Sequence, residues 1–171
     1  MDGQRRRSRF QINFQMNVTG ENYHLVEQTM ARIGVDMVEI AQLARLVEKS
    51  ATFTRRTFSP KELGAAAQMT DTRRKEYLAG RFAAKEAALK ALGVGLTRDF
   101  RLAEIETTSL SSGAPRLAFH GKASEFAQQH GVYQFYISIS HERQFAVAFV
   151  VLLSDVSQQL IDCLRIRGIE R

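Results

Sequence analysis

One stretch, Asp71 to Gly93, constrains the fold more than any other part of this 171-residue chain; it reads DTRRKEYLAGRFAAKEAALKALG. Its pattern predicts a long helix from about Thr72 to Leu92, with Asp71 as cap and Gly93 as stop. Small side chains at Ala79, Gly80, Ala83, Ala84, Ala87 and Ala88 let another element or a ligand approach closely. Glu86 shares a face with Ala79, Phe82, Ala83 and Leu89, most of them apolar. A carboxylate beside an apolar stripe is costly to bury unless something compensates it. A metal ion would do so, and so would an ordinary i, i+4 pair with Lys90. The helix alone does not choose between them.

Around this helix the periodicities switch. Arg32 to Val38 reads as a short strand ending at the acidic Asp36, and Glu39 to Lys49 as an amphipathic helix. Ser59 and Pro60 announce a further helix, as N-cap and first-turn residue. Leu102–Thr108 and Arg116–His120 read as strands separated by the turn Ser111 to Pro115. Lys122 to His130 is a helix closed by Gly131. Tyr133–Ser140 and Phe145–Leu153 form a hairpin, and Asp155 would cap a last helix carrying Cys163. Helices and antiparallel strands alternate without a regular βαβ rhythm, so the expected class is α+β. Residues 1–29, with Arg5, Arg6, Arg7 and Arg9, look like a weakly ordered N-terminal extension, since Met30 would make a natural start. Residues 30–171 would form one domain.

Composition narrows the function classes. No apolar run approaches the roughly 20 residues needed to span a bilayer, so no membrane partner is expected. A single cysteine excludes an internal disulfide, and a cytoplasmic protein is the default. His24, His120 and His130 show no ligand spacing, so no zinc site is expected. The net charge of +6 is concentrated: residues 30–92 hold 12 Lys and Arg against 7 Asp and Glu, whereas residues 93–171 hold eight of each. A localised positive field attracts nucleic acid, a phosphorylated cofactor or an acidic protein.

Three strings then point the same way. RIGVDMVEI (Arg32 to Ile40), FAAKEAALKALG (Phe82 to Gly93) and ISISH (Ile137 to His141) resemble, in order and separation, the three motifs of the 4′-phosphopantetheinyl transferases of the small, single-domain holo-acyl-carrier-protein synthase group. The resemblance extends from about Arg32 to Leu153. It implies an antiparallel sheet packed on a long signature helix. It also implies transfer of the 4′-phosphopantetheine arm of coenzyme A to a serine of an acyl carrier protein, with release of adenosine 3′,5′-bisphosphate.

By the same resemblance, Asp36 and Glu86 would hold Mg²⁺, with Glu86 or a metal-bound water taking the serine proton and Lys90 neutralising the leaving phosphate. Arg81, Lys85, Lys90 and His141 would meet coenzyme A. Arg45 and Lys49 on the first helix would dock an acidic carrier, with Arg55, Arg56, Arg73, Arg74 and Lys75 as further candidates. Relatives of this size form homotrimers with active sites between subunits. The carrier could belong to fatty-acid, polyketide or peptide synthesis. A basic nucleic-acid-binding module is the rival reading. It would interleave aromatics with the basic patch, whereas Phe53, Phe58, Tyr77 and Phe82 look like core or helix-face positions. A catalytically inactive homologue is the second rival, and intact Asp36, Glu86 and Lys90 argue against it.

Overall fold

Strict alternation in one strand organises the molecule. In β5 (Phe145–Asp155), Ala146, Ala148, Val150, Leu152 and Ser154 are buried, while Phe145, Val147 and Phe149 stay exposed. The structure, a computed structural model, describes residues 29–94 and 100–155. The extension before Thr29, His24, the last helix with Cys163 and part of the loop after Gly93 lie outside the described residues.

β5 is the centre of a three-stranded antiparallel sheet, flanked by β1 (Thr29–Glu39) and β4 (Val132–Glu142). Three helices follow β1: α1 (Ile40–Lys49), α2 (Ala51–Thr57) and α3 (Pro60–Ala67). The long α4 (Asp71–Leu92) crosses the buried face of β1 and β5. A 3₁₀ turn (Leu102–Glu104) leads into the two-stranded ribbon β2 (Ile105–Ser109) and β3 (Pro115–Phe119), and α5 (Gly121–Gln129) precedes β4. The α+β expectation holds.

The small residues of α4 do what their size suggests. Ala83, Ala84, Ala87, Ala88 and Ala91 pack with Ile105, Leu117, Val150 and Leu152 in the main core. Leu78 and Ala79 join Ile40, Leu43, Phe58 and Ala146 in a second core. At Gly34 the β1 backbone lies so close to α4 that a Cβ would come within 1.9 Å of the Ala87 carbonyl oxygen. Only glycine fits this approach. Gly93, at φ 76°, ends α4 in the left-handed conformation, its N–H returning to the Leu89 and Lys90 carbonyls.

Several local readings shift. β1 continues three residues past Asp36, which therefore lies within the strand. Thr70, not Asp71, is the N-cap of α4; Asp71 is its first residue and pairs with Arg74 at 2.6 Å and Lys75 at 2.7 Å. Leu102–Glu104 is a 3₁₀ turn, and the strand begins only at Ile105. Helix α2 has no counterpart in the sequence reading. Its signal is Ser50, whose Oγ accepts from Phe53 N at 3.1 Å, but basic and threonine residues obscure an apolar period over so few positions. At α3 the Ser59 expectation is met by a full capping box with Glu62.

Among the described residues, nothing covers the opposite face of the sheet. Ile33, Val35 and Met37 of β1 lie beside Phe145, Val147 and Phe149 of β5, and all six are exposed.

Candidate active site

Asp36 reaches the candidate site because it is two residues beyond Gly34. Strand alternation turns both toward α4, and the close backbone approach at Gly34 brings Asp36 up to the second half of that helix. There it meets Glu86 and Lys90, one turn apart. Lys90 Nζ donates to Asp36 Oδ1 at 2.8 Å and to the Val35 carbonyl at 2.9 Å. Lys90 thus pairs across to the strand, and the simple i, i+4 pair with Glu86 is not the arrangement found.

Glu86 is left undercompensated. Its Oε1 is buried and makes no hydrogen bond. Burial pushes its carboxyl above the ordinary range, the negative charge of Asp36 pushes it further, and Lys90 opposes both. Two carboxylates repelling each other, one with an unpartnered buried oxygen, make a donor set that fits a hard divalent cation. Among the described residues no group of three His, Cys, Asp or Glu converges. Two protein carboxylates are what Mg²⁺ accepts when water and substrate phosphates complete its shell.

Lys85 requires a correction. Expected to face cofactor phosphates, its side chain is fully buried, with Nζ 2.8 Å from Glu62 Oε2. It also donates to the Leu102 carbonyl at 3.3 Å and to the Ile105 carbonyl. Lys85 follows Arg81 by one turn, so the helix carries both toward β2, away from β1. Desolvation lowers its pKa, against the pull of Glu62. An ammonium enclosed in this way has no donor left for a phosphate. Glu62, its partner, was missed as a residue of interest; the only sequence signal was the Ser59-x-x-Glu62 capping pattern.

Arg81 is also largely buried. It stacks over Tyr77 at 4.1 Å from the ring centroid and donates from Nη2 to Ser109 Oγ at 2.8 Å, while its Nε has no partner. His141 lies within β4, before the turn at Arg143 and Gln144. Its Nε2 accepts from Arg73 Nη1 at 2.9 Å, which leaves the ring proton on Nδ1, 4.0 Å from Glu76 Oε2. His141 therefore sits by the start of α4. Glu76 and Glu86 are separated by about 15 Å along the helix axis. One chain does not bring His141 to the two carboxylates.

Arg45 and Lys49 are exposed on α1, and neither makes an ion pair among the described residues. Arg45 lines an open groove of about 590 Å³ between α1, Lys75 and the hairpin tip at Arg143. Lys75, Arg74 and Arg73 are engaged with acidic neighbours on α4.

A 3₁₀-linked ribbon, an antiparallel sheet and a carboxylate pair shared between β1 and a long small-residue helix define a class. The family model of the 4′-phosphopantetheinyl transferase superfamily matches residues 32–150, and the chain belongs to that family. Among curated relatives, a holo-[acyl-carrier-protein] synthase of Desulfovibrio desulfuricans is 43% identical over 125 residues, covering 70% of this chain and 94% of that protein. A Bacillus anthracis holo-(acyl-carrier-protein) synthase, solved in complex with CoA (3′,5′-ADP), is 33% identical. The match has a TM-score of 0.61 and covers 72% of this chain and 96% of that one. A Chronobacterium ammoniagenes ACPS–CoA complex is 30% identical with a TM-score of 0.65, covering 74% and 98%. The motif resemblance and the fold it implied are both borne out.

Proposed function

We propose that this chain is a holo-[acyl-carrier-protein] synthase, which moves the 4′-phosphopantetheine arm of coenzyme A to a serine of an apo acyl carrier protein. The convergence of Asp36, Glu86 and Lys90 on one end of α4 carries the reading. The serine oxygen bonds to a phosphorus of the pyrophosphate while that phosphorus loses its oxygen bridge to the nucleotide. The bond's electron pair leaves on adenosine 3′,5′-bisphosphate. Asp36 and Glu86 would hold Mg²⁺, which when bound supplies positive charge against the pyrophosphate. Glu86, whose burial and carboxylate neighbour raise its affinity for a proton, would act as its carboxylate to take the serine proton. Lys90, half-exposed beside them, neutralises charge on the departing phosphate.

Arg81 and His141 are assigned to coenzyme A, with the unpartnered Arg81 Nε and the Arg73-backed imidazole as support. The unpaired Arg45 and Lys49 are assigned to an acidic carrier, where such charges mainly raise the association rate. A homotrimer is supported by two features: the apolar sheet face that the described residues leave exposed, and the separation of His141 from Glu86 along α4. A neighbouring subunit would supply the missing half of the site. Sedimentation at micromolar concentration should give three times the chain mass; a monomer would remove this part of the account. The activity itself is tested by following adenosine 3′,5′-bisphosphate as apo carrier is added to protein, coenzyme A and Mg²⁺. Release should track the carrier supplied, and carrier-independent release would contradict transfer.

A further inference from the structure

The buried pair Lys85–Glu62 is not used by the chemistry above, yet each of its members has several hydrogen-bond partners. The ammonium has three donors, and Glu62, Leu102 and Ile105 provide three acceptors. The carboxylate in turn accepts from Ser59 N at 2.7 Å and from Thr107 N at 2.9 Å. One side chain of α4 is thereby tied to α3, to the 3₁₀ turn and to β2.

Much of the rest of the buried surface of α4 is small: Ala79, Gly80, Ala83, Ala84, Ala87, Ala88 and Ala91 make smooth contacts that tolerate turning about the axis, and Leu78, Leu89 and Leu92 pack without directional bonds. Other directional ties include Arg81 to Ser109, on the same side as Lys85, and the half-exposed Lys90 to Asp36. A buried ion pair is weak evidence for stability. Its hydrogen bonds are directional, however, and an apolar pair of equal volume would not be. Lys85 immediately precedes Glu86, and consecutive helical residues point about 100° apart. Fixing the direction of one fixes the other.

We propose that the Lys85–Glu62 pair is a positioning clamp, which sets the rotation of α4 so that Glu86 is aimed at Asp36. The inference rests on reading Glu86 as the catalytic and metal-binding carboxylate. A helix rotation of about 20° would carry a carboxylate held about 6 Å from the axis through about 2 Å. Misplacement on the scale of 1 Å is enough to lower a rate by about 10²-fold.

The test uses Lys85→Met, which keeps the side-chain volume, assayed where circular dichroism shows wild-type helicity. Three quantities are measured on folded protein: kcat, KM for coenzyme A, and affinity for Mn²⁺ by electron paramagnetic resonance. The clamp predicts kcat lowered about 30-fold or more and Mn²⁺ bound about fivefold more weakly, with KM within about twofold of wild type. A purely structural role changes the melting temperature and leaves both kcat and Mn²⁺ affinity per folded molecule intact, and that result overturns the proposal. If Lys85→Met does not fold, Glu62→Gln, which retains an acceptor for Thr107 N, is read by the same criteria. Should wild type bind Mn²⁺ but transfer nothing, the functional reading fails, and the Mn²⁺ comparison alone decides the clamp.

Discussion

Lys90 bonds to Asp36, 54 residues away in sequence, at 2.8 Å, while Glu86 one turn earlier on the same helix keeps a buried oxygen without a hydrogen bond. The cation and one carboxylate neutralise each other, and the second carboxylate bears the cost. On the proposed metal site, Lys90 and the ion would therefore compete for Asp36. Lys90→Met should tighten Mn²⁺ binding about fivefold, the scale of one partly exposed ion pair. It should also lower kcat about 10²-fold through the lost leaving-group charge. A metal titration paired with steady-state kinetics reads both; weaker metal binding would show that Lys90 does not oppose the ion.

Glu86 links the site to stability. Its folded pKa is raised above the ordinary 4.5 by burial first and by Asp36 second. Between the ordinary and the raised value, the folded chain keeps a proton that the unfolded chain has lost. The contribution of Glu86 is thus full below pH 4.5 and lost as pH rises through its folded pKa. In metal-free buffer at pH 7.5, Glu86→Gln should raise the melting temperature by a few degrees, and the gain should vanish near pH 4. Thermal scans at the two pH values check this. The same variant should lose transfer.

The contact of Gly34 with α4 predicts a large penalty for one methyl group. Gly34→Ala would place its Cβ against the backbone of Ala87, where no flexible side chain can yield. Overpacking of this kind costs about 1–3 kcal/mol or more. Because Asp36 hangs from the same strand, activity should fall with stability. Urea denaturation gives the first quantity and transfer kinetics the second.

On α1 the expected effect is kinetic. Arg45→Glu combined with Lys49→Glu should raise the carrier KM about tenfold or more at low salt and leave the coenzyme A KM unchanged. The difference should shrink as ionic strength rises and screening shortens the field. An equal effect at all salt concentrations would speak against electrostatic docking.

How much of this was legible in the sequence depends on how local each signal is. The span of α4 to within one residue, its stop at Gly93 and the hairpin strand that becomes β5 are written in short periods and were legible. The capping box at Ser59 is equally local. Asp36 and Glu86 were paired only through motif resemblance, because their proximity depends on a Gly34–Ala87 contact between elements far apart in the chain. Lys85 was misread for the same reason. On a helical wheel it is one more basic residue, and nothing nearby reveals that Glu62 and two carbonyls enclose it. The choice of Lys90 for Asp36 over Glu86 is likewise a tertiary matter, since i, i+4 spacing alone favours the local pair.

The central claim is that Asp36, Glu86 and Lys90 serve phosphopantetheine transfer to a carrier serine. Intact-mass measurement of an apo acyl carrier protein, after incubation with this chain, coenzyme A and Mg²⁺, tests it most directly. The account predicts a carrier heavier by one phosphopantetheine with wild-type protein and an unmodified carrier with folded Glu86→Gln. A panel of carriers left unmodified by wild type, or full modification by Glu86→Gln, would contradict it.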